Sequence, residues 1–199
     1  MKLVAVFAAS LLSVAAFAQS AAVEPQAASA GLIGKRYIGT GFGWTDINHS
    51  SIEGLGAGID VNVPVTANLD ITASYGFSWV EGVIGVGHTA SVAATSYITR
   101  GDSKYYGSLS TGYAWVENRF DKDHQVWGVE VGIERAVNEK ISSTFSVGYD
   151  DDLGQHREGA WDVAIGATYN ICSKLVGTAE ISLIEGGSIS YVAGVAYRF

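Results

Sequence analysis

The feature that most restricts the fold of this chain is an alternation of apolar and small polar residues with a period of two, which runs from about residue 36 to the C-terminus. In residues 69–79, the odd positions carry Leu, Ile, Ala, Tyr, Phe and Trp, and the even positions carry Asp, Thr, Ser, Gly and Ser. Because successive side chains of a β-strand point to opposite faces of a sheet, the pattern predicts strands with one apolar and one polar face.

The alternation predicts ten strands, each about nine to twelve residues long, as expected for tilted membrane-spanning strands. Short connections are predicted near 64–68, 99–103, 137–140 and 172–174, and longer polar ones near 46–54, 80–86, 116–125 and 150–159, with a brief one at 185–188. Segment 87–98 alternates most weakly, and eight strands is the alternative if it and one neighbour do not span. The pattern favours an all-β fold, a closed antiparallel transmembrane β-barrel.

The polar face of these strands distinguishes a membrane barrel from a soluble one. A soluble barrel turns its apolar face inward and covers its outer face with long charged side chains, whereas the polar face here consists mostly of Gly, Ser, Ala and Thr. Small residues fit a narrow barrel interior, which agrees with 25 Gly and only 16% charged residues in the chain. We therefore predict that the large apolar side chains face lipid. The net charge of −8 argues against nucleic acid as a partner.

Aromatic residues are predicted to form two girdles, because Trp and Tyr concentrate at membrane–water interfaces. With antiparallel strands, five tryptophans fall at the rim with the long loops, and a second aromatic group falls at the rim with the short turns. The predicted outer girdle is Trp44, Trp79, Trp115, Trp127 and Trp161, and the predicted inner girdle is Tyr37, Tyr97, Tyr169, Tyr197 and Phe199.

The N-terminus carries a secretion signal. Lys2 precedes an apolar stretch that ends at Ala16-Phe17-Ala18, a form that signal peptidase cleaves. Residues 1–18 are therefore predicted to be a signal peptide, whose removal changes the net charge to −9. Residues 19–34 are predicted to be a flexible leader because they are small and polar, and residues 35–199 to form the barrel.

The last strand, ISYVAGVAYRF, resembles the C-terminal strand of bacterial outer-membrane proteins, with alternating apolar residues and a terminal Phe199. The region 35–199 is similar to small opacity-type outer-membrane β-barrel proteins. The resemblance implies location in the outer membrane of a Gram-negative cell envelope and contact with its lipids. It also implies that periplasmic chaperones and the barrel-assembly machinery act on the chain, with Phe199 as the assembly signal.

The charged residues of the polar face are predicted to lie in the lumen, because carboxylates facing lipid are energetically costly. Two interpretations remain open: a filled interior in which acids pair with bases, hydroxyls and water, and a narrow water-filled pathway that favours cations. Lys104 and Glu134 lie near the turn ends of adjacent strands and are expected to pair. The predicted lumen-facing charges are Asp60, Asp70, Lys104, Glu130, Glu134, Asp162, Glu180 and Arg198.

Two loops carry side chains of the types that catalyse hydrolysis or bind metal ions, one from Asp121 to His124 and one from Asp150 to His156. An Asp–His pair at a barrel rim can activate water, and consecutive carboxylates can bind Ca²⁺, but solvated acidic loops are the favoured interpretation. The single Cys172 excludes a disulfide framework.

The sequence therefore favours a structural or surface-interaction barrel that presents polar loops outside the cell. No enzyme activity, no cofactor and no metal is predicted. A narrow cation-leaning pore for small solutes is the alternative, and a rim hydrolase is less favoured.

Overall fold

A computed structural model of the chain describes residues 30–47, 53–80, 86–116, 123–153 and 159–199. Among these residues, no helix is long and apolar enough to cross a membrane. The chain forms ten β-strands: β1 (Tyr37–Asp46), β2 (Glu53–Thr66), β3 (Leu69–Val80), β4 (Gly87–Arg100), β5 (Ser103–Val116), β6 (His124–Ala136), β7 (Ile141–Asp152), β8 (Ala160–Asn170), β9 (Leu175–Ile184) and β10 (Ser188–Arg198).

Each strand pairs antiparallel with its neighbours in the chain, and β1 also pairs with β10, so the sheet closes into a barrel. The predicted ten-strand barrel is confirmed, and the eight-strand alternative is wrong. The weakly alternating segment 87–98 lies within β4, a 14-residue strand that pairs along most of its length with β3 and along all of it with β5. Pairing with two neighbours satisfies its backbone even though its outward side chains are small.

The two ends of the barrel differ. Both described termini and the short connections 67–68, 101–102, 137–140 and 171–174 lie at one end, which we call the turn end. The strand ends that flank the longer connections, together with the β9–β10 turn, 185–187, lie at the opposite end, the loop end. Strands β4 and β5 extend further than the sequence predicted and leave only a two-residue turn. Gly101 has a φ of 59° there, a left-handed conformation that glycine adopts without strain.

The outer surface of the barrel is an apolar belt. Leu109, Val131 and Ile165 lie in the middle of their strands and are 60%, 63% and 63% exposed. Because each Å² of apolar surface left in water costs about 25 cal/mol, a continuous belt of such side chains fits a lipid environment. A lipid environment also requires that backbone N–H and C=O groups are paired within the protein. The closed barrel meets this requirement, since every strand has a partner on both edges.

The interior is lined by polar and small side chains, with glycines where a neighbouring side chain needs room. Asn62, Asp70, Thr72 and Thr95 are almost completely buried, although the apolar clusters of the described residues are small. A Cβ on Gly132 would lie within about 2.5 Å of the Tyr106 ring, which crosses over this glycine from β5. The lumen therefore holds side chains from the wall itself, as expected for a barrel with few strands.

Candidate functional site

Residues 30–35 lie inside the turn end of the barrel, and we call this segment the plug. Ala30, Leu32 and Ile33 are 0%, 3% and 2% exposed. The prediction of a flexible leader over 19–34 is therefore wrong for residues 30–34, while residues 19–29 lie outside the described part of the chain. The plug folds back on itself, since Lys35 N–H donates to Leu32 O at 3.2 Å and Gly34 adopts a φ of 102°.

The apolar side chains of the plug contact opposite walls of the lumen. Leu32 packs with Tyr37, Val176 and Ala196 of β1, β9 and β10. On the other side, Ile33 packs with Tyr97 of β4 and Tyr106 of β5. The plug therefore extends across the lumen, held by contacts to both sides.

A buried ion pair holds the backbone of the plug. The Glu134 carboxylate accepts the N–H of Leu32 at 2.8 Å and the N–H of Ile33 at 3.2 Å. Lys104 Nζ donates to the Ile33 carbonyl oxygen and lies 3.8 Å from Glu134 Oε1. The expected Lys104–Glu134 pair is thus present, and it also provides the hydrogen-bond partners that the plug backbone needs inside the barrel.

A second polar group fixes the C-terminal part of the plug. Asn62 Nδ2 donates to Lys35 O at 2.8 Å and lies 3.4 Å from Asp70 Oδ2. Thr72 donates to the Asn62 side-chain oxygen at 2.7 Å. Asn62, Asp70 and Thr72 come from β2 and β3, so the plug is bonded to a third region of the wall.

A cavity of about 10 Å³ adjoins the plug between Leu32, Tyr37, Asp60 and Val192, which is the size of one water molecule. Asp60 is 5% exposed there. The Arg198 guanidinium donates a hydrogen bond to the Asn170 side-chain oxygen at the same end of the barrel.

Two of the five residues predicted for the inner girdle point into the lumen, so the prediction is wrong for Tyr37 and Tyr97. They are 1% and 5% exposed and contact the plug, and the Tyr97 hydroxyl donates to Ala67 O at 2.6 Å. Each has the inward parity of its strand, because the outward residues next to them are Ile38 and Ile98. Three aromatic residues face outward at the turn end as predicted: Tyr169, Tyr197 and Phe199.

The aromatic residues at the loop end form groups of contacting rings on the outer surface. The rings of Trp44 and Tyr191 are 5.2 Å apart. Tyr149 lies between Trp127 and Trp161, with centroid distances of 5.8 and 4.9 Å. The structure places all five tryptophans near the loop end of their strands, at positions of outward parity: Trp44, Trp79, Trp115, Trp127 and Trp161.

The remaining lumen acids lie above the plug on four consecutive strands, β6 to β9. Glu130 and Asp162 both pair in register with Gly148, and Glu180 pairs with Gly166. The Tyr106 hydroxyl donates to Glu130 Oε1 at 2.6 Å. Sequence reasoning missed Asp150, which has the same inward parity, because β7 continues to Asp152 where a loop was predicted.

The described part of the structure does not bring the candidate catalytic and metal-binding loop residues together. Asp121 and His156 lie outside the described part of the chain, and His124 is the first residue of β6. No group of three or more His, Cys, Asp or Glu side chains within the described ranges is arranged to hold a metal ion. Cys172 lies exposed in the β8–β9 turn.

His88 faces outward from β4. Its ring lies 5.2 Å from that of Trp115, and its Nδ1 lies 2.9 Å from the Tyr75 hydroxyl oxygen. These partners belong to the aromatic surface near the loop end.

The fold is shared with solved bacterial membrane barrels at low sequence identity. The NanC porin has a TM-score of 0.50 at 12% identity, over 81% of this chain and 100% of that one. Neisserial surface protein A has a TM-score of 0.44 at 16% identity, over 82% and 97%. The KdgM porin, solved with disordered oligogalacturonate, has a TM-score of 0.46 at 10% identity, over 83% and 98%. No protein-family model matches the chain, and no curated protein matches it in sequence.

Proposed function

We propose that this protein is a structural or surface-interaction barrel of the bacterial outer membrane whose lumen is closed at the turn end by the plug. In this proposal the turn end faces the periplasm, and the acidic loop end is presented outside the cell. The apolar belt and the aromatic groups at its two edges support a membrane-spanning position.

The observation that carries the proposal is the position of Leu32 and Ile33 across the lumen. A conducting barrel of this size needs a continuous polar path, because an ion that loses its hydration without new partners pays a large desolvation energy. Here the two apolar side chains occupy the cross-section of the lumen at the turn end. They share it with three tyrosines: Tyr37, Tyr97 and Tyr106. The Lys104–Glu134 pair is occupied by the plug backbone.

A narrow cation-leaning pore is the second candidate, and the acids above the plug favour it. Glu130, Asp150, Asp162 and Glu180 lie on four adjacent strands. The one described lysine or arginine of these strands, Arg135 of β6, faces outward at the turn end. A ring of carboxylates attracts cations to a pore entrance. This function requires that the plug leaves the lumen.

Planar-bilayer recording separates the two functions. We expect the intact protein to show no stable single-channel steps and a variant lacking residues 30–34 to show cation-selective steps. Gly31→Ala is a milder variant, because its Cβ would overlap the Glu134 carboxylate, and we expect intermittent steps from it. Gly107→Ala is the matched control, since its Cβ meets only Glu130 O at 3.9 Å, and we expect no steps. Stable steps from the intact protein would overturn the closed-lumen proposal.

The outer-membrane proposal includes assembly through the C-terminal strand. Phe199 is 58% exposed, and its N–H donates to Arg36 O at 3.2 Å beside the β1–β10 seam. We expect a variant lacking Phe199 to reach the membrane in reduced amounts, measured as the band that shifts on heating in SDS gels. Phe199→Tyr is the control and should assemble normally. Normal membrane levels without Phe199 would contradict its role as an assembly signal.

The proposal includes no catalytic activity. Its test for the rim residues is a double variant, His124→Ala/His156→Ala, assayed beside the unaltered protein for hydrolysis of peptide and ester substrates. We expect no activity above background in either protein. Hydrolysis that disappears in the double variant would favour the rim hydrolase instead.

A further inference from the structure

Three adjacent strands bring two arginines and a hydroxyl into one row at the turn end. Arg100 of β4 pairs in register with Ser103 of β5, and Ser103 pairs with Arg135 of β6. All three have the outward parity of their strands, as Ile98, Tyr105 and Ile133 do. The row therefore lies on the outside of the barrel at the edge of the apolar belt.

Neither guanidinium is used within the described part of the protein. Arg100 and Arg135 are exposed, and neither has an ion pair or hydrogen bond from its side chain to another described residue. The acid nearest to Arg100 in sequence is Asp102 of the same turn, whereas the acid next to Arg135 is Glu134, whose carboxylate lies in the lumen on the plug. Two arginines held side by side without a partner repel each other, so the row favours an anion between them.

The spacing of the row fits a phosphate group. Neighbouring strands lie about 4.8 Å apart, so the backbones of Arg100 and Arg135 are about 10 Å apart with Ser103 between them. The flexible arginine side chains can converge from both sides on an anion above Ser103. Guanidinium groups bind phosphate oxygens with paired hydrogen bonds, and a serine hydroxyl supplies one more donor.

A row of apolar side chains directly adjoins the phosphate row. Tyr105 pairs with Ile98 on one side and with Ile133 on the other, two residues closer to the middle of the membrane. Ile98 and Tyr105 are 54% and 47% exposed. A ligand that fills both rows needs a phosphate attached to an apolar chain. A soluble phosphate would fill only the first row.

We propose that Arg100, Ser103 and Arg135 form a binding site for the phosphate of a membrane glycerophospholipid, whose acyl chain lies over Ile98, Tyr105 and Ile133. The site lies on the outer wall of the barrel, so it is independent of whether the lumen conducts. It would hold one lipid of the leaflet at the turn end and fix the depth of the barrel in the membrane.

Native mass spectrometry of the folded protein, released from detergent with added dioleoyl phosphatidylglycerol, tests the site. We expect one retained lipid, and a loss of about tenfold or more in the double variant R100Q/R135Q, since each arginine near an anionic lipid contributes about fivefold. The matched control is R36Q/K174Q, which removes the same charge from exposed residues at the same end. It should change retention by less than about twofold, because Arg36 beside β1 and Lys174 in the β8–β9 turn lie away from the row on β4 to β6, where salt screens their charge.

Three further binding measurements distinguish a phospholipid from other ligands. Dioleoylglycerol has the same chains without phosphate and should not be retained, excess inorganic phosphate should not displace the lipid, and soluble peptidoglycan fragments should not bind. The heat shift in SDS gels verifies folding of each variant. If R100Q/R135Q does not fold, R100Q and R135Q are measured singly against R36Q, with about a fivefold loss expected only for the first two. Equal loss in the control, retention of dioleoylglycerol, displacement by phosphate or binding of the fragments would overturn the proposal.

Discussion

Glu134 on β6 accepts the backbone N–H of Leu32 at 2.8 Å, across a sequence separation of 102 residues. The same oxygen accepts the N–H of Ile33 at 3.2 Å. A single carboxylate of the barrel wall therefore replaces the strand partners that the plug backbone lacks. This relationship converts a segment that precedes the barrel into part of its interior.

Replacing Glu134 with Ala should release the plug. The change leaves two N–H groups without an acceptor and leaves Lys104 without its ion-pair partner, a loss of about 3 kcal/mol. We expect amide hydrogen exchange at Leu32 and Ile33 to accelerate by a factor of about ten or more. The control is Glu139→Ala, an exposed carboxylate in the next turn, which should leave exchange at both amides unchanged. Unchanged exchange in Glu134→Ala would contradict the anchoring role.

Two neighbouring tyrosines of β5 should differ in their contribution to stability. Tyr106 faces the lumen and donates to Glu130 at 2.6 Å, whereas Tyr105 is 47% exposed on the outer surface. We expect Tyr106→Phe to lower the free energy of unfolding by about 1–3 kcal/mol because it leaves a buried acceptor unsatisfied. Tyr105→Phe should change it by less than about 0.5 kcal/mol. Urea titration in lipid vesicles measures both, and equal effects would contradict the assigned strand orientation.

Arginine substitutions should map the apolar belt. Val131 and Val137 are 63% and 60% exposed, but Val131 lies in the middle of β6 and Val137 lies in the following turn. We expect Val131→Arg to destabilise the folded barrel by about 2–4 kcal/mol in vesicles and Val137→Arg by at most about 1 kcal/mol, because the cost depends on membrane depth. Similar costs at the two valines would contradict a membrane-spanning β6.

The thiol of Cys172 should react faster in the folded protein than in the unfolded chain. Hydrogen bonds from the backbone N–H groups of Lys174 and Leu175 lower the pKa of Cys172, and the positive charge of Arg198 lowers it slightly further. Because the thiolate is the nucleophile, the midpoint of a pH–rate profile for iodoacetamide alkylation should lie below that of the urea-unfolded protein. Identical midpoints would show that the β8–β9 turn does not stabilise the thiolate.

The fold was predictable because side-chain alternation is a local property of each strand. The strand number and the positions of the turns follow from it, since a membrane barrel requires every strand to alternate. The predicted ends of the strands were less accurate than the predicted number of strands. Asp150 was assigned to a loop because its charged neighbours suggested solvent, but backbone pairing with β6 extends β7 to Asp152.

The site was predictable only in part. The Lys104–Glu134 pair follows from strand register, whereas the plug does not, because Leu32 and Ile33 are the only large apolar residues in a segment of small ones. Tyr37 shows how two principles can conflict. Interfacial preference suggested an outward position, but alternation with Ile38 places it inside, and pairing geometry determines the outcome.

The central claim is that residues 30–35 occupy the lumen, and nuclear Overhauser effects in detergent micelles test it most directly. We predict cross-peaks between the Ile33 methyl protons and the ring protons of both Tyr97 and Tyr106, because these side chains form one buried cluster. Phe145 is 46% exposed on the outer surface of the barrel and should show no cross-peak to Ile33. Relaxation rates of Ile33 typical of a disordered segment, with no cross-peak to either tyrosine, would contradict the closure of the lumen by the plug.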